Sequence, residues 1–166
     1  MKQSNRTLTL AKTAAVGILT LGLASTAANA TTATNTFNVT ANVVSSCLVS
    51  VPGLSFGAYN STQIDTTTTV TVTCTNNTTY NVGLDKGLNG ATVSTRQMKS
   101  GSFALNYSLF SDSNRTVNWG NTVGTDTVAG TGNGSAQNIT VYGRLPGAQV
   151  LNIGSYTDTI TATVTY

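Results

Sequence analysis

From Asp158 to Tyr166 the chain sets Ile160, Ala162, Val164 and Tyr166 on one side and Thr159, Thr161, Thr163 and Thr165 on the other. A period of two marks a half-buried strand, because successive side chains of an extended backbone point to opposite faces. Residues 67–75 repeat the pattern, with Val70, Val72 and Cys74 on one face and threonines on the other. Cys74 is therefore expected to face inward. The chain holds 33 threonines among its 166 residues, and β-branched threonine is stiff at χ1 and suits a pleated surface. After the first 30 residues no apolar pattern of helical period runs for even ten residues, so an all-β fold is expected.

Further strands are expected at residues 54–59, 80–84, 103–110, 116–119 and 138–144, where apolar and aromatic residues cluster between turn formers. Seven or so short strands suggest a sandwich of two sheets. Residues 87–90, 111–114, 120–134 and 146–154 read as the connections, being rich in Gly, Asn, Ser and Asp. Gly130-Thr131-Gly132-Asn133-Gly134 is glycine-rich like a phosphate loop, but no Lys-Ser/Thr follows it and no helix pattern supplies a dipole. It is read as a flexible loop. Asp112-Ser113-Asn114 lacks the Gly and distal Glu of a calcium loop and is read as a hairpin turn.

Residues 1–30 have the form of a secretory signal. Lys2, Arg6 and Lys12 give a basic start, residues 14–24 an apolar stretch, and Ala28-Asn29-Ala30 a small-x-small cleavage site. The apolar stretch is shorter than the roughly 20 residues of a membrane-spanning helix. The formal net charge of +3 then resides in the leader, since Lys86, Arg96, Lys99, Arg115 and Arg144 balance Asp65, Asp85, Asp112, Asp126 and Asp158. No basic patch is left to attract nucleic acid. Export to an oxidising compartment makes Cys47 and Cys74 a disulfide, because a zinc site would need ligands that a chain with no His and no second Cys pair lacks.

The same inventory bears on catalysis. Histidine and glutamate are both absent, which removes the commonest general bases. Any Ser or Thr nucleophile would have to rely on Lys86, Lys99 or a pair of Asp, so no enzyme activity, cofactor or catalytic residue is expected. A self-contained surface- or carbohydrate-binding module is the competing reading, with Trp119, Tyr107 and Tyr142 as a possible aromatic platform. Aromatics within alternating strands more often face a core.

Before the first cysteine lies one more alternating run: Phe37, Val39, Ala41 and Val43 on one face, Asn38, Thr40 and Asn42 on the other. The preceding residues 31–36 are a polar tail with nothing to pack, so the run is not held on both sides. Pattern alone favours a first strand folded into its own sheet, and leaves open which chain it pairs with.

In order, the run at 37–43, Leu54-Ser55-Phe56-Gly57-Ala58-Tyr59, Val70-Thr71-Val72-Thr73-Cys74, Leu105-Asn106-Tyr107-Ser108-Leu109-Phe110-Ser111-Asp112, Trp119-Gly120, Val141-Tyr142-Gly143-Arg144-Leu145-Pro146 and Gly154-Ser155-Tyr156-Thr157-Asp158-Thr159 make up an ordered set. On these pieces the chain resembles the spore coat protein U domain family, whose members are similar to the major subunits of archaic, Csu-type chaperone-usher pili. The resemblance implies an incomplete immunoglobulin-like β-sandwich completed by donor-strand exchange. It divides the chain into a signal peptide (1–30), an N-terminal donor strand (31–44) and a pilin-like domain (45–166). Phe37, Val39, Ala41 and Val43 would then fill a neighbour's groove, edged by Ile160, Ala162, Val164 and Tyr166. The implied partners are identical or related subunits, a periplasmic chaperone and an outer-membrane usher. The implied role is a structural subunit of an extracellular fibre or coat at the cell surface, supporting adhesion and biofilm formation.

Overall fold

A computed structural model describes residues 30–150 and 152–166. The leader expected at residues 1–30 lies, but for Ala30, outside the described residues. Eight strands follow in chain order: β1 (Cys47–Ser50), β2 (Ile64–Cys74), β3 (Thr79–Leu84), β4 (Arg96–Ser100), β5 (Phe103–Phe110), β6 (Val128–Thr131), β7 (Ala136–Leu145) and β8 (Ala162–Thr165). They form two sheets, a five-stranded one ordered β1-β2-β7-β5-β4 and a three-stranded one ordered β6-β3-β8. Every pairing is antiparallel. The fold is an all-β sandwich, as the alternation requires.

The core is the sum of the inward faces. Val70, Val72 and Cys74 of β2, Val141 and Leu145 of β7, and Leu105, Tyr107 and Leu109 of β5 are buried against Tyr80, Val82 and Leu84 of β3. Trp119, wholly buried, ties the layers by donating its indole N–H to the Val82 carbonyl at 2.8 Å. Arg96, also wholly buried, donates to the carbonyls of Leu84 (2.8 Å), Asp85 (2.8 Å), Val93 (2.9 Å) and Trp119 (2.7 Å). A buried charge is tolerated where its donors are met in this way. Burial lowers its pKa from the ordinary arginine value, against the pull of nearby Tyr107 and Asp85.

Three expectations need correction. Residues 54–59 and 116–119 form no strands. Leu54 and Phe56 pack against the core, but their backbone has no ladder beside it. At 116–119 the Asp112 carboxylate takes the N–H groups of Thr116 and Val117 at 2.9 and 2.8 Å, leaving only an isolated bridge from Asn118 to Phe110. Within the stretch expected to be loop, 120–134, lies β6, in which Gly130 pairs with Tyr80. A Cβ at Gly130 would lie 2.5 Å from the Tyr80 ring, so glycine there is the mark of a strand with a ring laid across it rather than of a flexible loop.

Residues 30–46 carry no strand. The chain divides into two units at residue 40, and the described part of the first, residues 30–40, is irregular and exposed. The alternation at 37–43 is thus not part of either sheet, contrary to what pattern alone favours.

Candidate functional site

The feature of the sandwich that invites a partner is its unfinished side. β8 pairs with β3 and with no other strand among the described residues, and β1 likewise pairs only with β2. Between residues 51–56, which follow β1, and residues 156–162, which lead into β8, the sheets leave a cleft of about 410 Å³ floored by Leu84, Leu109, Tyr107 and Val141. A second hollow of about 710 Å³ continues it toward Leu105 and Leu145. Leu54, Phe56, Met98 and Tyr156 line both. The floor is buried, while Leu54, Phe56, Met98, Tyr156, Ile160 and Ala162 are only half-buried. An apolar wall beside a free strand edge is what a sandwich lacking one strand presents.

The chain builds this wall by changing sheets. Thr157 bridges to Lys99 of β4 through backbone bonds of 2.9 and 3.1 Å, placing it on the five-stranded side. Four residues later the Asp85 N–H donates to the Thr161 carbonyl at 3.0 Å, and Ala162 pairs with Leu84 on the three-stranded side. The alternation from Asp158 onward therefore splits into a crossing and a short strand. The crossing is held by carboxylates. Asp85 Oδ1 accepts from Thr161 N (2.9 Å) and Gly87 N (3.0 Å), and Asp158 Oδ2 accepts from the Tyr107 hydroxyl at 2.6 Å. Burial works to raise the Asp85 carboxyl, but the Thr161 and Gly87 N–H groups outweigh it and hold the pKa below the ordinary value. Burial and then the Asp158 hydrogen bond push the Tyr107 phenol well above its usual range.

The expected groove residues do not all meet. Ile160 and Ala162 line the cleft. Val164 is half-buried against the core, and Tyr166 is exposed and outside the lining. Of the expected donor face, Phe37, Val39 and Val43 are exposed at 87%, 84% and 86%. Ala41 is exposed too. Cys47 and Cys74 sit opposite each other across β1 and β2 and are bonded. Trp119 and Tyr107 are buried and Tyr142 lies under Arg115, 5.6 Å from its guanidinium carbon, so the three make no open aromatic platform. The residues sequence reasoning passed over are Met98, Asp85 and Asp158: Met98 falls in a strand too polar to notice, and the carboxylates act through segments far apart in the chain.

The model of the Spore Coat Protein U domain matches residues 33–163. The chain belongs to the Spore Coat Protein U domain family. A relative is Protein U of Myxococcus xanthus, 33% identical over 158 residues, with 84% of this chain and 88% of Protein U covered. Among solved structures, this Spore Coat Protein U domain is similar to a chain of the CsuC-CsuE chaperone-tip adhesion subunit pre-assembly complex from archaic chaperone-usher Csu pili of Acinetobacter baumannii. The TM-score is 0.56 at 24% identity, with 75% of this chain and 40% of that one covered. The domain spans about two fifths of that chain, and the likeness is one of fold.

Proposed function

We propose that the protein is a structural subunit of a surface fibre, assembled when residues 37–43 of one copy enter the cleft of the next. The observation that carries this reading is the apolar cleft that reaches Ala162 at the start of β8, a strand paired on one side only among the described residues, in a chain that also bears an exposed, alternating apolar ribbon. In an extended ribbon Phe37, Val39, Ala41 and Val43 share one face, and burying them would contribute roughly 5 to 10 kcal/mol before ordering costs. That is comparable to the 5 to 15 kcal/mol or so by which whole domains are stable. A subunit with its cleft empty would be short of stability and would expose a template for aggregation. This is the physical reason for a periplasmic chaperone that fills the cleft until an outer-membrane usher hands it to the next subunit.

Ribbon and cleft are different surfaces, so the contact is heterologous and propagates as a fibre rather than closing into a dimer. On this reading residues 1–30 are a removed export signal, residues 31–44 the donor and residues 45–166 the acceptor body, and the fibre serves adhesion and biofilm formation outside the cell. The likeness in fold to a subunit of a pre-assembly complex with a chaperone supports it. The test is deletion of residues 31–44 in cells that also express the chaperone and usher. Chaperone-bound monomer should persist and electron microscopy should find no polymer. A deletion variant that still assembles would overturn the reading.

A further inference from the structure

The cleft needs its two sheets held at a fixed spacing, and besides buried Arg96, which joins β4 to the end of β3, one side chain of the cleft lining spans the gap between them. Asp158 lies in the crossing between Thr157, bonded to β4, and Thr161, bonded to the residue after β3. Its Oδ2 accepts from the Tyr107 hydroxyl at 2.6 Å, and Tyr107 stands on β5 in the cleft floor. Its Oδ1 accepts from Leu88 N at 3.0 Å, Asn89 N at 3.3 Å and Asn89 Nδ2 at 3.0 Å, all in the loop that leaves β3. One half-buried carboxylate thus takes a donor from the five-stranded sheet and three from the end of the other. Gly87 is shaped around it: its φ is +76°, and a Cβ there would collide with Asp158 Oδ2. Charge-assisted hydrogen bonds of this kind are stronger than neutral ones and directional.

We infer that Asp158 is a positioning residue that sets the width of the cleft mouth, and with it the fit of an entering strand. The inference rests on the strand-accepting reading and adds to it the residue that fixes the acceptor's shape. Ile160 and Ala162, which meet the incoming strand on that reading, follow Asp158 by two and four residues. An error in where the crossing sits is passed directly to them. The opposite wall, residues 51–56, carries no ladder and is held by a neutral group, the Thr68 hydroxyl, which donates to the Pro52 and Gly53 carbonyls at 3.2 and 3.4 Å.

The experiment titrates a fluorescent peptide spanning residues 31–46 into the full chain and its variants, with urea unfolding measured in parallel. Asp158→Ala should weaken peptide binding about tenfold or more. Tyr107→Phe, which removes one of four donors and keeps the ring, should fall between that and the unaltered protein. Asp112→Ala removes a carboxylate of similar bonding in a turn outside the cleft lining and should leave affinity within about twofold whatever it does to the unfolding midpoint. If Asp158→Ala does not fold, Tyr107→Phe carries the test. Unaltered affinity in the cleft variants overturns the inference and leaves the strand-accepting reading standing, as does affinity that merely follows stability across all three. A peptide that does not bind the unaltered chain overturns both.

Discussion

Arg96 Nη2 donates to the Trp119 carbonyl at 2.7 Å, joining two wholly buried residues from segments more than twenty positions apart. The guanidinium also meets the carbonyls of Leu84, Asp85 and Val93, so its fork closes the end of the sandwich where β3, β4 and the Trp119 segment converge. Arg96→Met should remove the side-chain donor from four carbonyls, two of them in buried bonds, and lower stability by about 3 kcal/mol or more, measured by urea unfolding. Arg96→Lys should recover little of this, because a single ammonium cannot reach four carbonyls spread over a planar fork.

The exposed ribbon makes a prediction about sidedness. Val39→Asp and Val43→Asp should each reduce fibre yield at least tenfold by placing an unpaired charge in an apolar cleft, at a cost of about 2 kcal/mol or more. Asn38→Asp and Thr40→Asp put the same charge on the opposite face of an extended strand and should assemble nearly as the unaltered chain. Counting fibres by electron microscopy separates the two faces, and equal loss on both would show that the apolar face is not the one inserted.

Acid should weaken the fold within a defined window. Arg144 donates from Nε and Nη2 to the two oxygens of Asp65, both at 2.8 Å, and this hydrogen bonding, with the Arg115 and Arg144 charges, lowers the Asp65 pKa against burial. Asp85 is lowered through its N–H donors, and Asp112 first through the Val117 N–H. A carboxyl lowered on folding binds fewer protons folded than unfolded, so its contribution is complete above the unfolded value near 3.9 and is lost as pH falls through the folded one. Unfolding midpoints should therefore be level with respect to these groups from pH 7 to about 5 and fall below about 4. Arg144→Gln should make that fall shallower.

Cysteine removal gives a fourth measurement. The Cys47–Cys74 bond closes a loop with a sequence separation of 27, which in the chain-entropy model corresponds to roughly 3.5 kcal/mol. The double substitution to serine should lower the free energy of unfolding by about that amount, with the far-ultraviolet spectrum of a β protein retained.

Alternation told which way side chains point and was silent on what the backbone pairs with. At β5 the two coincide, and the expected residues 103–110 are the strand observed. At 54–59, expected as a strand, Leu54 and Phe56 turn inward, yet no strand lies alongside to make a ladder. From Asp158 onward the pattern is unbroken while the backbone leaves one sheet for the other. Gly130 was legible only with Tyr80 beside it. The polar keystones were the least visible: all the partners of Arg96 and Asp158 but Val93 lie 11 to 70 positions away, and no local pattern carries such information.

Cys47 is the first residue of β1 and is bonded to the last residue of β2, the longest strand of the molecule. Tension drawn through the ribbon would meet the Ser46–Thr75 hydrogen bonds and then this covalent bond. The covalent bond passes load to β2 in parallel with the four-residue ladder of β1, which hydrogen bonds alone would let unzip from that end. On the proposed reading, a copy pulled by its ribbon is anchored at the end of β2, one strand in from the edge of its larger sheet.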